Sequence, residues 1–270
     1  MKMFQFNTKM LIAACGLLIG ANCAFADKLD DVISSGELKC GVMLDYPPNG
    51  FRDSSNNPAG YDVEYCQDLA TALGVKAEIV ETSSPDRIPA LISNRVDISV
   101  ASATITLERA KTIAFTQPYS TYSFVVVAKK DSNINTFEDL KGKKVGGVKG
   151  SAEDALFQEF FKKWNDPQGK YLTLTNDSDR NLALAQGKVD AFIVNIQAAN
   201  ALVKLPQFQQ FHSCCDAPFP KDTVGMMLTR QDDGLLKFVN LFVYNQQKNG
   251  RYAELYKKWY EADAPTLDKY

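Results

Sequence analysis

Two stretches of this chain echo each other in order, and that echo constrains the fold more than any other feature. Gly36, Glu37, Leu38, Lys39, Cys40, Gly41, Val42 compares with Gly142, Lys143, Lys144, Val145, Gly146, Gly147, Val148, each opening a strand. Leu91, Ile92, Ser93, Asn94, Arg95, Val96, Asp97 compares with Leu184, Ala185, Gln186, Gly187, Lys188, Val189, Asp190, each running into an apolar strand. In both, Asn94 or Gly187 stands where a helix ends in the left-handed conformation. Two matches in one order point to duplicated βα topology and hence to two similar lobes.

Strand and helix signals alternate along the chain, which favours an α/β architecture with largely parallel sheets. Leu38 to Leu44 reads as a first strand. The helix after Asp62 presents Val63, Cys66, Ala70 and Leu73 on one face and stops at Gly74, and Val75 to Glu81 follows as a strand. A helix from Asp86 to Ser93, kept short by Pro85 and Pro89, leads into a strand from Val96 to Ser102.

The first residues give the compartment. Lys2 and Lys9, an apolar run from Met10 to Gly20, and Ala24, Phe25, Ala26 before Asp27 form a cleaved secretory signal peptide, residues 1 to 26, and so imply a periplasmic protein. Cys15 after Ile12, Ala13 and Ala14 resembles a lipoprotein box, but only a handful of apolar residues separates it from Lys9. Removing residues 1 to 26 takes two lysines and no acid, which moves the formal charge from −2 to −4 and argues against nucleic acid as partner. Four cysteines then remain, and an exported compartment permits bonds. Cys40 on a strand and Cys66 on the next helix could pair, although both positions also suit a small buried apolar residue.

In open α/β sheets ligands bind beyond the carboxyl ends of the strands, so the loops after the echoed strands are the candidates for a site. Ala101 to Arg109 reads ASATITLER: Thr106 is a helix N-cap, and Arg109 falls in the first helical turn, where the macrodipole repels a cation. A ligand carboxylate held by the Arg109 fork with the Ser102 and Thr104 hydroxyls would resolve that repulsion. Ser151 with Asp154 is a capping pair, so Gly150, Ser151 and Ala152 form a second helix N-terminus with free NH groups. The glycines beside Lys149 lack the spacing of a nucleotide phosphate loop. His212 near Cys214 and Cys215 lacks the further ligands a metal needs, and the chain calls for no metal or cofactor.

These pieces resemble the bacterial extracellular solute-binding proteins of family 3, the polar amino acid receptors of ABC importers. Gly60 to Ala70, Arg87 to Ser102, Ala114 to Ser120, Asp139 to Ser151 and Gly250 to Tyr260 carry the likeness over nearly the whole mature chain. The resemblance implies a monomeric type II two-lobe clamp, not an enzyme, with lobe one spanning 27 to 123 and 222 to 270 and lobe two 124 to 221. Ser123 to Lys130 and Thr223 to Arg230 would be the hinge strands. A small amino acid or related carboxylate would be captured between the lobes and delivered to the membrane permease. By position, Arg109, Ser102 and Thr104 would hold the α-carboxylate with the NH groups near Ser151 and Ala152, while Tyr46 would stack on the ligand.

Three departures bear on ligand class. Asn195 stands where such receptors usually carry an aspartate for the α-ammonium, and with Lys149 near the cleft this implies net positive charge and an acidic amino acid or a carboxylate without the amine. Met43 and Ser84 replace, respectively, a frequent acid and a frequent aromatic of basic-ligand receptors, so basic amino acids should bind poorly, with Asp45 as the counterargument. Gln197 stands where cyclohexadienyl dehydratases, which resemble the same receptors, place a glutamate, so the general acid is missing. An adaptor that has kept the clamp and lost its ligand is the remaining alternative.

Overall fold

A computed structural model describes residues 27–268. The expected signal peptide, residues 1 to 26 with Cys15 and Cys23, lies outside the described residues. Asp27 opens the chain by capping α1 (Lys28–Ser35), accepting from the Leu29 amide at 3.0 Å, and α1 ends at Gly36 in the left-handed conformation. Then follow β1 (Glu37–Val42), a small antiparallel sheet of β2 (Asp45–Tyr46), β3 (Gly50–Arg52) and β4 (Pro58–Ala59), α2 (Tyr61–Leu73) and β5 (Lys76–Glu81). After α3 (Arg87–Ile92) come β6 (Ile98–Thr104), a single turn α4 (Leu107–Ala110), β7 (Ile113–Phe115) and β8 (Ser120–Tyr122).

The second sheet is built from β9 (Phe124–Lys129), β10 (Lys144–Val148), β11 (Lys170–Leu174), β12 (Ala191–Asn195) and β13 (Phe211–Asp216). Helices α5 (Ala152–Trp164), α6 (Asp177–Ala185) and α7 (Ile196–Leu202) flank it. The chain then returns to the first sheet as β14 (Asp222–Thr229) and closes with α8 (Asp233–Lys248) and α9 (Arg251–Tyr260).

Both sheets are mixed, in contrast to the expectation of largely parallel ones. In the first, β5-β1-β6 is parallel and β14 joins β6, β7 and β8 antiparallel; in the second, β11-β10-β12 is parallel and β9 joins β12 and β13 antiparallel. The reason is topological. Strands reached through a helix return in the same direction, whereas β9 and β14 enter their sheets from the other lobe without a helical crossover. The strands expected to form the hinge each lie wholly within one sheet. The backbone passes between sheets at Ser123 and between Ala217 and Lys221, short segments whose strands on either side stay fully paired.

The duplication is visible in hydrogen bonds. Asp97 accepts from the Lys39 amide at 2.9 Å and its own amide donates to the Lys39 carbonyl; Asp190 does the same with Lys144 at 2.8 Å. Asn94 and Gly187 both take positive φ, at 54° and 71°. The strand frame differs by one residue from the sequence match, since Lys39 pairs structurally with Lys144 and not with Val145. Cys40 and Cys66 are joined by a disulfide with a Cα separation of 6.3 Å, tying β1 to α2 at the centre of the larger apolar core.

A closed cleft lined by two arginines and three carboxyls

The lobes meet along a cleft at the carboxyl ends of β1, β6, β10 and β12, and direct hydrogen bonds cross it. Arg87 Nη2 and Arg109 Nη2 both donate to the Gly150 carbonyl, at 2.9 and 2.7 Å. Asn195 Nδ2 donates to the Tyr46 hydroxyl at 2.8 Å, and the Asp177 amide donates to Asp45 Oδ2 at 3.0 Å. Gly150 has φ of 85°, and a Cβ there would lie 3.2 Å from Pro85 Cα across the cleft, so only glycine gives both the turn and the close approach. The cavity left between the lobes encloses about 20 Å³, room for one water molecule.

Tyr46, Ser84, Ser102, Thr104, Ser151, Ala152 and Asn195 all line this cavity, together with Met43. Arg109 lies one layer out. It lines an adjoining space of about 130 Å³ with Ser84, Arg87 and Gly150. Thr106 caps α4 and accepts from the Arg109 amide, but the guanidinium turns away from the helix axis to the Thr104 and Gly150 carbonyls. Those two acceptors answer the dipole repulsion. Burial with the neighbouring Arg87 lowers Arg109 to about 10.

Ser102 and Asn195 are already engaged. Ser102 sits at φ 47°, and its hydroxyl accepts from Asn49 Nδ2 at 2.6 Å and donates to Asp62 Oδ2 at 3.0 Å, behind the cleft wall. Tyr119 donates to the other Asp62 oxygen, and burial raises Asp62 to about 7. Asn195 caps α7: its side-chain oxygen accepts from the Ala198 amide at 2.7 Å while its NH₂ reaches Tyr46. The Asn195 side-chain oxygen thus already accepts one hydrogen bond from the helix it caps. The bond from the Asn195 NH₂ holds the Tyr46 hydroxyl, and burial pushes that hydroxyl well above its usual range.

The expected positive cleft is not what the structure builds. Lys149 is exposed and absent from the cavity wall, whereas Glu153, Asp177 and Asp222 line it with Arg87. Asp177 follows the N-cap of α6 and pairs with buried Arg180; burial outweighs that cation and raises Asp177 to about 7. Asp222 opens β14 and rises to about 6 by burial, against a hydrogen bond from Thr104 and the field of Arg109. Glu153, in the first turn of α5, is raised by burial as well. Asp45, the counterargument for a cationic ligand, instead accepts from the first amides of α6.

Arg87 is the residue sequence reasoning missed. It is 5% exposed, donates to the Ser84 and Ala101 carbonyls and the Ser84 hydroxyl besides Gly150, and among the described residues makes no ion pair with a carboxylate. A buried guanidinium bonded to neutral oxygens keeps its charge, and a charge-assisted bond to an anion is stronger than those it makes here. Its signal was available, since an arginine on a helix of six residues wedged between prolines has little room to reach solvent.

The match to known proteins spans this architecture. Residues 38–262 fit the model of bacterial extracellular solute-binding proteins, family 3. The chain belongs to that family. Its relatives include the L-cystine-binding protein TcyJ of Escherichia coli K12, 33% identical over 94% of this chain and 95% of that one. Among solved structures, the cysteine-binding protein of Campylobacter jejuni aligns with a TM-score of 0.80 at 28% identity, covering 90% of this chain and 96% of the other. A mutant arginine-binding protein of Thermotoga maritima aligns at 0.78 and 30%, covering 87% and 100%. The chain is a solute-binding receptor, and its curated relatives are transport proteins. Gln197 stands outside the cavity, donating to the Tyr256 hydroxyl at 2.9 Å. Among the described residues no helix is long and apolar enough to cross a membrane, and no three metal-ligating side chains gather.

Proposed function

We propose that this chain is the monomeric periplasmic receptor of an ABC importer for a zwitterionic α-amino acid whose side chain carries no net charge, cysteine and cystine being the first to test. Residues 27–123 with 222–270 form one moving lobe and 124–221 the other, and the permease reads the closed form. Cleavage before Asp27 releases the mature receptor. The observation that carries the reading is the charge pattern of the cleft: two guanidiniums converge on one backbone carbonyl beside Glu153, Asp177 and Asp222. A carboxylate replaces the Gly150 carbonyl as acceptor for Arg87 and Arg109, near the N-terminus of α5. An ammonium then meets Asp177 and Asp222, whose raised pKa values make them ready to ionise when a cation arrives. Asn195 and Tyr46 close over the ligand without contributing charge.

The relatives that bind cystine, cysteine and arginine all handle ligands with an α-carboxylate and an α-ammonium, which supports the same class here. A thermal-shift panel of the protein beginning at Asp27 tests the side chain. Ligand at about a thousand times its dissociation constant should add about 4 kcal/mol and several degrees. Cysteine or cystine ahead of arginine and glutamate is the expected order. Arginine as the best ligand would overturn the uncharged side chain, and no response to any amino acid would favour the adaptor.

A further inference from the structure

We propose that Cys214 and Cys215 form a reversible vicinal disulfide, closed and opened by exchange with external disulfides and thiols. The two sulfurs lie 2.9 Å apart, inside the contact distance of non-bonded sulfurs. Consecutive residues of a regular strand point to opposite faces, so this proximity needs a cause. The cause is a bulge in β13: Ser213 pairs with Val127 and Cys215 with Val126, leaving Cys214 as the extra residue, which turns both side chains to one side. Strand β13 is an edge of the second sheet, both cysteines are half-buried, and among the described residues no third metal-ligating side chain joins them. The pair sits two residues before the backbone segment 217–221 that returns to the first lobe.

Closing the bond is balanced by thiol–disulfide exchange. The Cys215 thiolate attacks a disulfide RSSR and expels one RS⁻, and the Cys214 thiolate then attacks the Cys215 sulfur and expels the second. The two cysteine protons end on two RSH, so the donor is reduced as the pair is oxidised. Burial raises both thiols, Cys214 first among them, so the folded protein exchanges slowly and at Cys215. Adjacent Cα atoms are about 3.8 Å apart across a trans peptide, short of the roughly 4.4 Å at which ordinary disulfides begin. A bond forced into that spacing is strained and more easily reduced than Cys40–Cys66, whose Cα atoms are 6.3 Å apart.

The test uses the whole exported protein, treated with mild dithiol, desalted, and incubated with oxidised glutathione. After denaturing alkylation and tryptic digestion, the peptide 205–221 holds both cysteines and no other. The expected peptide is two hydrogens lighter than its reduced form and carries neither alkyl group nor glutathione, and Cys214→Ser traps glutathione on Cys215. Mild dithiol should reopen this pair while Cys40–Cys66 stays closed. Two alkylated cysteines, a stable glutathione adduct in the wild type, or reopening only together with Cys40–Cys66 would each overturn the proposal.

Discussion

Asp27 shows how much one side chain can organise. Its carboxylate caps α1 and also accepts from the Gly234 and Leu235 amides at the start of α8, where a Cβ on Gly234 would collide with it. These amides hold the carboxyl below its usual range. Asp27→Ala removes two caps at once and should cost about 1 to 3 kcal/mol in urea denaturation, beyond the usual single-cap range. Arg109 behaves differently, because it reaches only backbone carbonyls at the half-exposed rim. Arg109→Ala should change stability by about 1 kcal/mol, yet weaken amino acid binding by about 2 to 5 kcal/mol, which calorimetry and thermal denaturation separate.

Among elements, the pairing of β2 with the N-terminus of α6 is the contact that ties closure to helix geometry. Asp45, on one lobe, meets the positive end of a nine-residue helix on the other. Asp45→Ala should weaken the closed form by about 0.3 to 1 kcal/mol, seen as a larger radius of gyration in small-angle scattering without ligand. Part of the element order was legible in the sequence because Gly74, Asn94 and Gly187 mark helix ends and the apolar runs between them are strands. Sheet direction was not, since local patterns do not say that β9 and β14 arrive from another lobe. The cleft acids were hidden for a related reason. Asp177 and Glu153 look like ordinary first-turn acids of solvated helices, and the tertiary packing that buries them is not written in their local pattern.

At the scale of the molecule, those buried acids set the response to pH. Burial raises Asp62 and Asp177 to about 7 and Asp222 to about 6. The native state therefore holds more protons than the unfolded chain between about pH 4 and 7, and stability is lost as pH rises through that window. The melting temperature without ligand should be higher near about pH 5 than near about pH 8, with Asp62→Asn flattening the slope. Ligand binding should follow the opposite course, because an ammonium needs Asp177 and Asp222 ionised. The most direct measurement is a calorimetric titration of the protein from Asp27 with cysteine, its deaminated analogue and its decarboxylated amine at neutral pH. Capture of a zwitterion requires heat from cysteine and from neither analogue. Equal binding of the deaminated acid would contradict it, and would return the cleft to a site for carboxylates alone.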